Sequence, residues 1–147
     1  MIFRILQIAI PFVWLGLLGG ISFLEAPLKF QAPNITLALG LGIGRLIFFW
    51  LNKIEIGLAV LLLVSFVFDK PKTFFPFAAL GMTVFLLMLE TAWLLPVLDR
   101  RAIEVINGTA APFSNAHFIY IGFDAIKFVL LAALGISITK NYIKFKS

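Results

Sequence analysis

The chain contains no cysteine and a single histidine, and charged residues fill only 13% of its 147 positions. Without cysteine there is no disulfide framework, no thiolate metal site and no thiol redox chemistry, and one histidine cannot supply a bis-His haem or a His-cluster zinc site. No cofactor is expected. A charged fraction about half the roughly 25% of soluble domains excludes an ordinary water-exposed fold. No P-loop, Ser/His/Asp pattern or metal motif is present, and Gly40-Leu41-Gly42-Ile43-Gly44 follows no strand and does not complete the dinucleotide-binding spacing. What abounds is apolar: 62% of residues are hydrophobic, 17 are Phe, and the mean hydropathy is +1.08. The expected fold class is all-α, a single integral membrane four-helix bundle whose first partner is the lipid bilayer.

A helical span needs about 20 residues to cross about 30 Å of hydrocarbon. The first apolar stretch, from Ile5 to Phe30, is longer than a signal-peptide core and has no clean cleavage pattern after it, so it is expected to stay as a helix. The second stretch exceeds one perpendicular span. It divides into a glycine-spaced lead-in (Gly40, Gly42, Gly44) and a span from Ile43 to Phe68, closed by Asp69-Lys70-Pro71-Lys72. A third span is expected from Thr73 to Pro96, then a polar connection from Asp99 to Pro112. Ser114 and Asn115 read as caps of a fourth span, Asn115 to Thr139.

Basic residues outside the hydrocarbon tend to stay cytoplasmic. Four spans put Arg4, Lys70, Lys72, Lys140, Lys144 and Lys146 on one side, and these less Asp69 carry the whole formal charge of +5. The high pI of 9.8 is therefore an orientation signal, with both termini cytoplasmic, and gives no reason to expect nucleic acid. The expected location is a bacterial inner (plasma) membrane. Asn34-Ile35-Thr36 and Asn107-Gly108-Thr109, both on the outer side, read as polar turns rather than glycosylation sites. Trp14, Trp50 and Trp93 are candidate interfacial anchors, and Gly16 to Gly20 holds a G-x-x-x-G spacing suited to close helix packing.

Within the spans stand four acids, Glu25, Glu55, Glu90 and Asp124, and four bases, Lys29, Arg45, Lys53 and Lys127. A lone charge at mid-bilayer costs about 2.5 to 3.5 kcal/mol on insertion scales, so these groups are expected to face inward and pair. At about 100° per residue, Arg45, Phe48, Asn52, Glu55 and Ala59 share a sector of about 80° on the second helix; His117, Tyr120, Asp124, Lys127 and Leu131 share the equivalent sector on the fourth. Both helices run outside to inside, so the faces match in depth. They predict Glu55 beside Lys127, Asn52 beside Asp124, and Arg45, His117, Glu25 and Glu90 around an outward-open vestibule. Lys53 points about 200° from Glu55 and is expected at another helix or at the interface. Glu25 and Lys29, four apart, can instead pair along their own helix. His117 is the natural pH-sensitive group.

Gly20-Ile21-Ser22-Phe23-Leu24-Glu25-Ala26-Pro27-Leu28-Lys29-Phe30, Gly44-Arg45-Leu46-Ile47-Phe48-Phe49-Trp50, Thr91-Ala92-Trp93-Leu94-Leu95-Pro96 and His117, in that order, resemble the four-span family that includes the animal transmembrane protein 205 and bacterial proteins known only as a domain of unknown function. The resemblance implies a small helical bundle and solute handling, its animal member being associated with tolerance of platinum drugs. It carries over no catalytic residue. With no Cys and only Met1, Met82 and Met88, soft-metal binding does not follow. Two functions stay open. In one, the polar core binds or passes a small solute or ion with proton coupling through Glu55, Asp124 or Glu90, alone or as a homo-oligomer. In the other, the ion pairs only lock the helices of a noncatalytic subunit of a larger membrane complex. An enzyme acting on lipid or quinone through His117 ranks last.

Overall fold

A computed structural model describes residues 1–109 and 114–144, Lys144 by its backbone only; Pro112 and Lys146, placed above in the outer connection and the basic tail, lie outside the described residues. Among the described residues the fold is all-helical, without strands. Four helices are long and apolar enough to cross a membrane: α1 (Ile2–Gln31), α2 (Leu37–Phe68), α3 (Phe75–Ile106) and α4, which runs over Ala116–Lys144. α1 packs along α2 and α4, and α3 along α4 and α2, so α2 and α4 face each other diagonally across the bundle axis.

The helix ends follow local chemistry. Thr36 caps α2, its Oγ1 accepting from Leu39 N at 3.2 Å, and Asn34 makes the preceding turn with φ of 65°, a left-handed conformation that Asn tolerates. Ser114 Oγ accepts from Ala116 N at 3.1 Å at the start of α4. At the C-terminus of α2, Gln7 Nε2 donates to the carbonyl of Asp69 (2.6 Å), just past the helix end, and to that of Ser65 (2.9 Å), which also accepts from Asp69 N. Arg4 Nε adds an ion pair to Asp69 Oδ2 at 2.6 Å.

Three boundaries differ from the sequence expectation. The glycine lead-in is helical: α2 starts at Leu37, and Gly40 and Gly44, one turn apart, are buried under the end of α1. A Cβ on Gly40 would overlap the Phe30 ring, and one on Gly44 would lie 3.0 Å from Lys29 Nζ. Next, α3 passes through Pro96 and continues to Ile106, so Asp99 is helical rather than part of a loop. Finally, Gly16 and Gly20 have open space where a Cβ would stand, so they do not mediate packing within the chain; Gly19, 3.3 Å from Phe128 by the same measure, is the close one.

α1 and α3 each widen into a π-helical segment, Gly19–Glu25 and Glu90–Leu94, just before Pro27 and Pro96. A proline ring in an α-helix meets the carbonyl four residues back and offers no N–H to it; a widened turn moves that carbonyl away. Both segments are bounded by a glutamate, Glu25 at the end of one and Glu90 at the start of the other.

The interior is stratified. The half nearer the chain start is filled by Ile10, Leu62, Phe66, Leu80, Leu134 and Ile138, and the middle by Trp14, Leu18, Leu51, Leu87 and Leu131. In the other half Leu94, Ala116 and Tyr120 form a smaller cluster. The outer surface is broadly apolar, with Leu46, Trp50, Val67, Phe118 and Val129 well exposed.

Candidate functional site

Four fully buried ionisable side chains meet at the centre: Glu55 from α2, Glu90 from α3, and Asp124 and Lys127 from α4. Lys127 Nζ donates to Glu55 Oε1 at 2.8 Å and to Glu90 Oε2 at 2.5 Å, and lies 3.0 Å from Asp124 Oδ1 without hydrogen-bond geometry. α1 contributes Trp14, whose Nε1 donates to Glu55 Oε1 at 2.8 Å. α2, α3 and α4 thus meet at one ammonium, and α1 is joined to it through Glu55. Asp124 and Lys127 are brought together by their i,i+3 spacing on one helix face, whereas Lys127 crosses the bundle diagonal to reach Glu55.

The donors do not satisfy the acceptors. Glu55 Oε2, Glu90 Oε1 and both Asp124 oxygens are buried without a hydrogen-bond partner. One oxygen from each carboxylate lies within 4.8 Å of the others, a spacing suited to caging a cation, and the Lys127 ammonium is the cation they hold. Three carboxylates around one ammonium form a buried negative excess, and an uncompensated buried charge costs several kcal/mol. The cluster therefore requires further positive charge, as protons or as a bound cation.

Beside it, in the half of the bundle away from the chain start, lies a cavity of about 710 Å³. Its walls come from all four helices. Asp124, Asn52 and Thr91 lie at the depth of the cluster, and Arg45, Asp99 and His117 lie nearer the helix ends. Lys53, Phe49 and Asp99 on its lining are exposed, so it reaches the surface. Asp124 is the member of the charged cluster that lines it.

The Glu55–Lys127 pair is found as the helical phases predict. Asn52 does not meet Asp124: its Nδ2 donates to Thr91 Oγ1 at 2.8 Å, because α3 is its neighbour while α4 stands across the diagonal. Glu90 belongs to the central cluster rather than to an outer group, since α3 extends past Pro96 and Glu90 stands midway along it. Arg45 pairs with Asp99 through two hydrogen bonds, 2.6 and 3.2 Å. Glu25 pairs with Lys29 at 3.3 Å along α1 and does not line the cavity, although Lys29 does. His117 is exposed on the cavity wall, with its ring 6.4 Å from that of Phe118, and Tyr120 is buried edge-on to Phe48 at 5.4 Å. Lys53 is exposed, its ammonium 5.3 Å from the centre of the Phe49 ring.

Sequence reasoning missed Trp14, Thr91 and Asp99. Trp50 and Trp93 are exposed but stand midway along α2 and α3, near the depth of Asn52 and Thr91, rather than at helix ends, and Trp14 is wholly buried. The signal was its seven-residue spacing from Gln7, another polar-tipped residue on the inward face of α1. No protein-family profile, curated protein or solved structure matches the chain.

Proposed function

We propose that the chain is an integral membrane protein with both termini cytoplasmic, and that its cavity binds or passes a small solute or ion, with proton coupling through Asp124, Glu55 or Glu90. The observation that carries this reading is that the cavity runs from exposed residues inward to Asp124, a wholly buried carboxylate with two unpartnered oxygens. A lock needs no access route, whereas a binding site does. The apolar exterior and the basic residues beside the termini support bilayer insertion in that orientation, with the cavity facing outward. The membrane proposed is a bacterial inner membrane, and the family proposed is that of transmembrane protein 205, which the sequence motifs resemble.

Reconstituted vesicles test it. With imposed gradients of protons, Na⁺, K⁺ and phosphate, vesicles containing the protein are expected to dissipate at least one gradient faster than empty vesicles. Asp124→Asn should slow that flux about tenfold or more, the worth of one interaction with a buried charge. Fluxes untouched by both Asp124→Asn and Glu55→Gln overturn the pathway.

A second reading, a noncatalytic subunit of a larger membrane complex, is favoured by the zero exposure of Glu55, Glu90 and Lys127, which is what a helix lock requires. Stable copurification with a larger complex from the native membrane in mild detergent supports it.

A further inference from the structure

The lining of the cavity points to the charge and shape of its ligand. Most of the wall is apolar, and Phe23, Phe30, Phe48, Phe49 and Tyr120 give it an aromatic character. Two of its residues carry buried oxygens without a hydrogen-bond partner, Ser22 Oγ and the Asp124 carboxylate. Asp124 lies about 10 Å deeper than His117 along α4, seven residues further on. The aromatic faces already receive cations: Lys29 Nζ lies 5.5 Å from the Phe30 ring centre and 5.4 Å from that of Phe48. Nearer the surface Lys29 is balanced by Glu25 and Arg45 by Asp99, and the ammonium of Lys53 sits over Phe49. At the deep end the balance is negative.

We infer that the cavity is a binding site for a lipophilic organic cation, whose apolar body lies among the Phe and Tyr side chains and whose charge sits against Asp124. The inference rests on the cavity being a solute site, as proposed above, and adds the class of solute. It also fixes the exchange that accompanies binding. The groups facing Asp124 are Glu55 and Asn52 on α2, Glu90 and Thr91 on α3, and Tyr120 and Lys127 on α4, with Trp14 on α1 engaged by Glu55. With three carboxyl groups and one ammonium, the empty site is neutral when two protons are shared among the carboxyls. An arriving cation brings one positive charge, so one proton leaves the three-carboxyl cluster for water and the sum is unchanged.

The test uses the purified full chain in nonionic detergent and two probes of one shape and opposite charge, tetraphenylphosphonium and tetraphenylborate. Titration calorimetry in two buffers of different ionisation enthalpy counts the protons released. The expected result is saturable phosphonium binding at least about tenfold tighter than borate binding, with about one proton released per cation. Asp124→Asn should weaken phosphonium binding by about tenfold or more and abolish the release, while Lys140→Gln, exposed and outside the cavity, should leave it unchanged. Preference for borate would identify an anion site and overturn the inference, and an equal weakening of phosphonium binding in Lys140→Gln would overturn it as well. So would phosphonium binding without proton release in the unmodified chain, a result that stands even where Asp124→Asn does not fold. An Asp124-dependent flux of another solute in a chain that binds no phosphonium overturns the cation assignment alone and leaves the pathway standing.

Discussion

The indole N–H of Trp14 and the ammonium of Lys127 converge on a single atom, Glu55 Oε1, each at 2.8 Å. α1, which contributes no charge to the centre, is tied to it by this neutral donor. Trp14→Phe keeps an aromatic ring and removes the donor. The expected loss is about 1.5 to 3 kcal/mol, the range for a hydrogen bond to a charged group. Thermal unfolding in detergent measures it, with the exposed Trp50→Phe as a control that should not move. Equal melting temperatures for both variants would show that the bond contributes nothing.

Lys127→Met leaves three buried carboxyl groups without their cation. Removing one partner of a buried ion pair costs about 3 to 5 kcal/mol, chiefly through the charge left behind. Adding Glu55→Gln and Glu90→Gln to the same chain removes that charge, so the triple variant is expected to be more stable than the single one. A triple variant less stable than Lys127→Met would mean that shape, not charge, governs the centre.

Two glycines make a paired test of packing. On Gly135 a Cβ would lie 2.8 Å from the nearest Phe12 ring atom, whereas on Gly57 it meets nothing within 4 Å. Gly135→Ala is expected to cost about 1 kcal/mol, the low end for overpacking, because Phe12 is exposed and can swing outward. Gly57→Ala should gain up to about 1 kcal/mol from helix propensity. Denaturant titrations of both variants measure the difference, and a reversed order refutes the packing described for α1 and α4.

Orientation has its own measurement. A reporter domain fused after Ser147 is expected to read cytoplasmic, following Arg4, Lys70, Lys72 and Lys140. An external reading would turn the cavity to face the cytoplasm and reverse the direction of any exchange at Asp124.

The helices were legible because an apolar run long enough to span leaves little choice of structure, and Glu55–Lys127 was legible because phase and depth on two parallel helices suffice to match two residues 72 positions apart. The Asn52–Asp124 pairing failed for a geometric reason. Phase says which way a side chain faces, not which helix stands nearest, and Asn52 finds Thr91 on the adjacent α3. Glu90 was set too far outward because Pro96 was read as a terminus. The π-helical turn before it lets the helix continue, which carries Glu90 to the middle and brings Asp99 within reach of Arg45. Of the cavity, the pattern placed Arg45 and His117 on an outward-open vestibule, but not its extent to Asp124, which is a property of how four faces fit.

The convergence of α2 and α3 on Lys127 of α4 also has an order in time. A chain is made from its N-terminus, so α1, α2 and α3 exist, with Glu55 and Glu90 already in place, before the ammonium that joins them has been synthesised. Until then the acids on α2 and α3 can only be neutralised by protons or kept in water. The last helix brings both the cation and a third acid, three residues apart. Closure of the bundle is thus a late event: a three-helix intermediate lacks the ammonium that balances Glu55 and Glu90, and it is the chain lacking only α4 that quality-control proteases should find open.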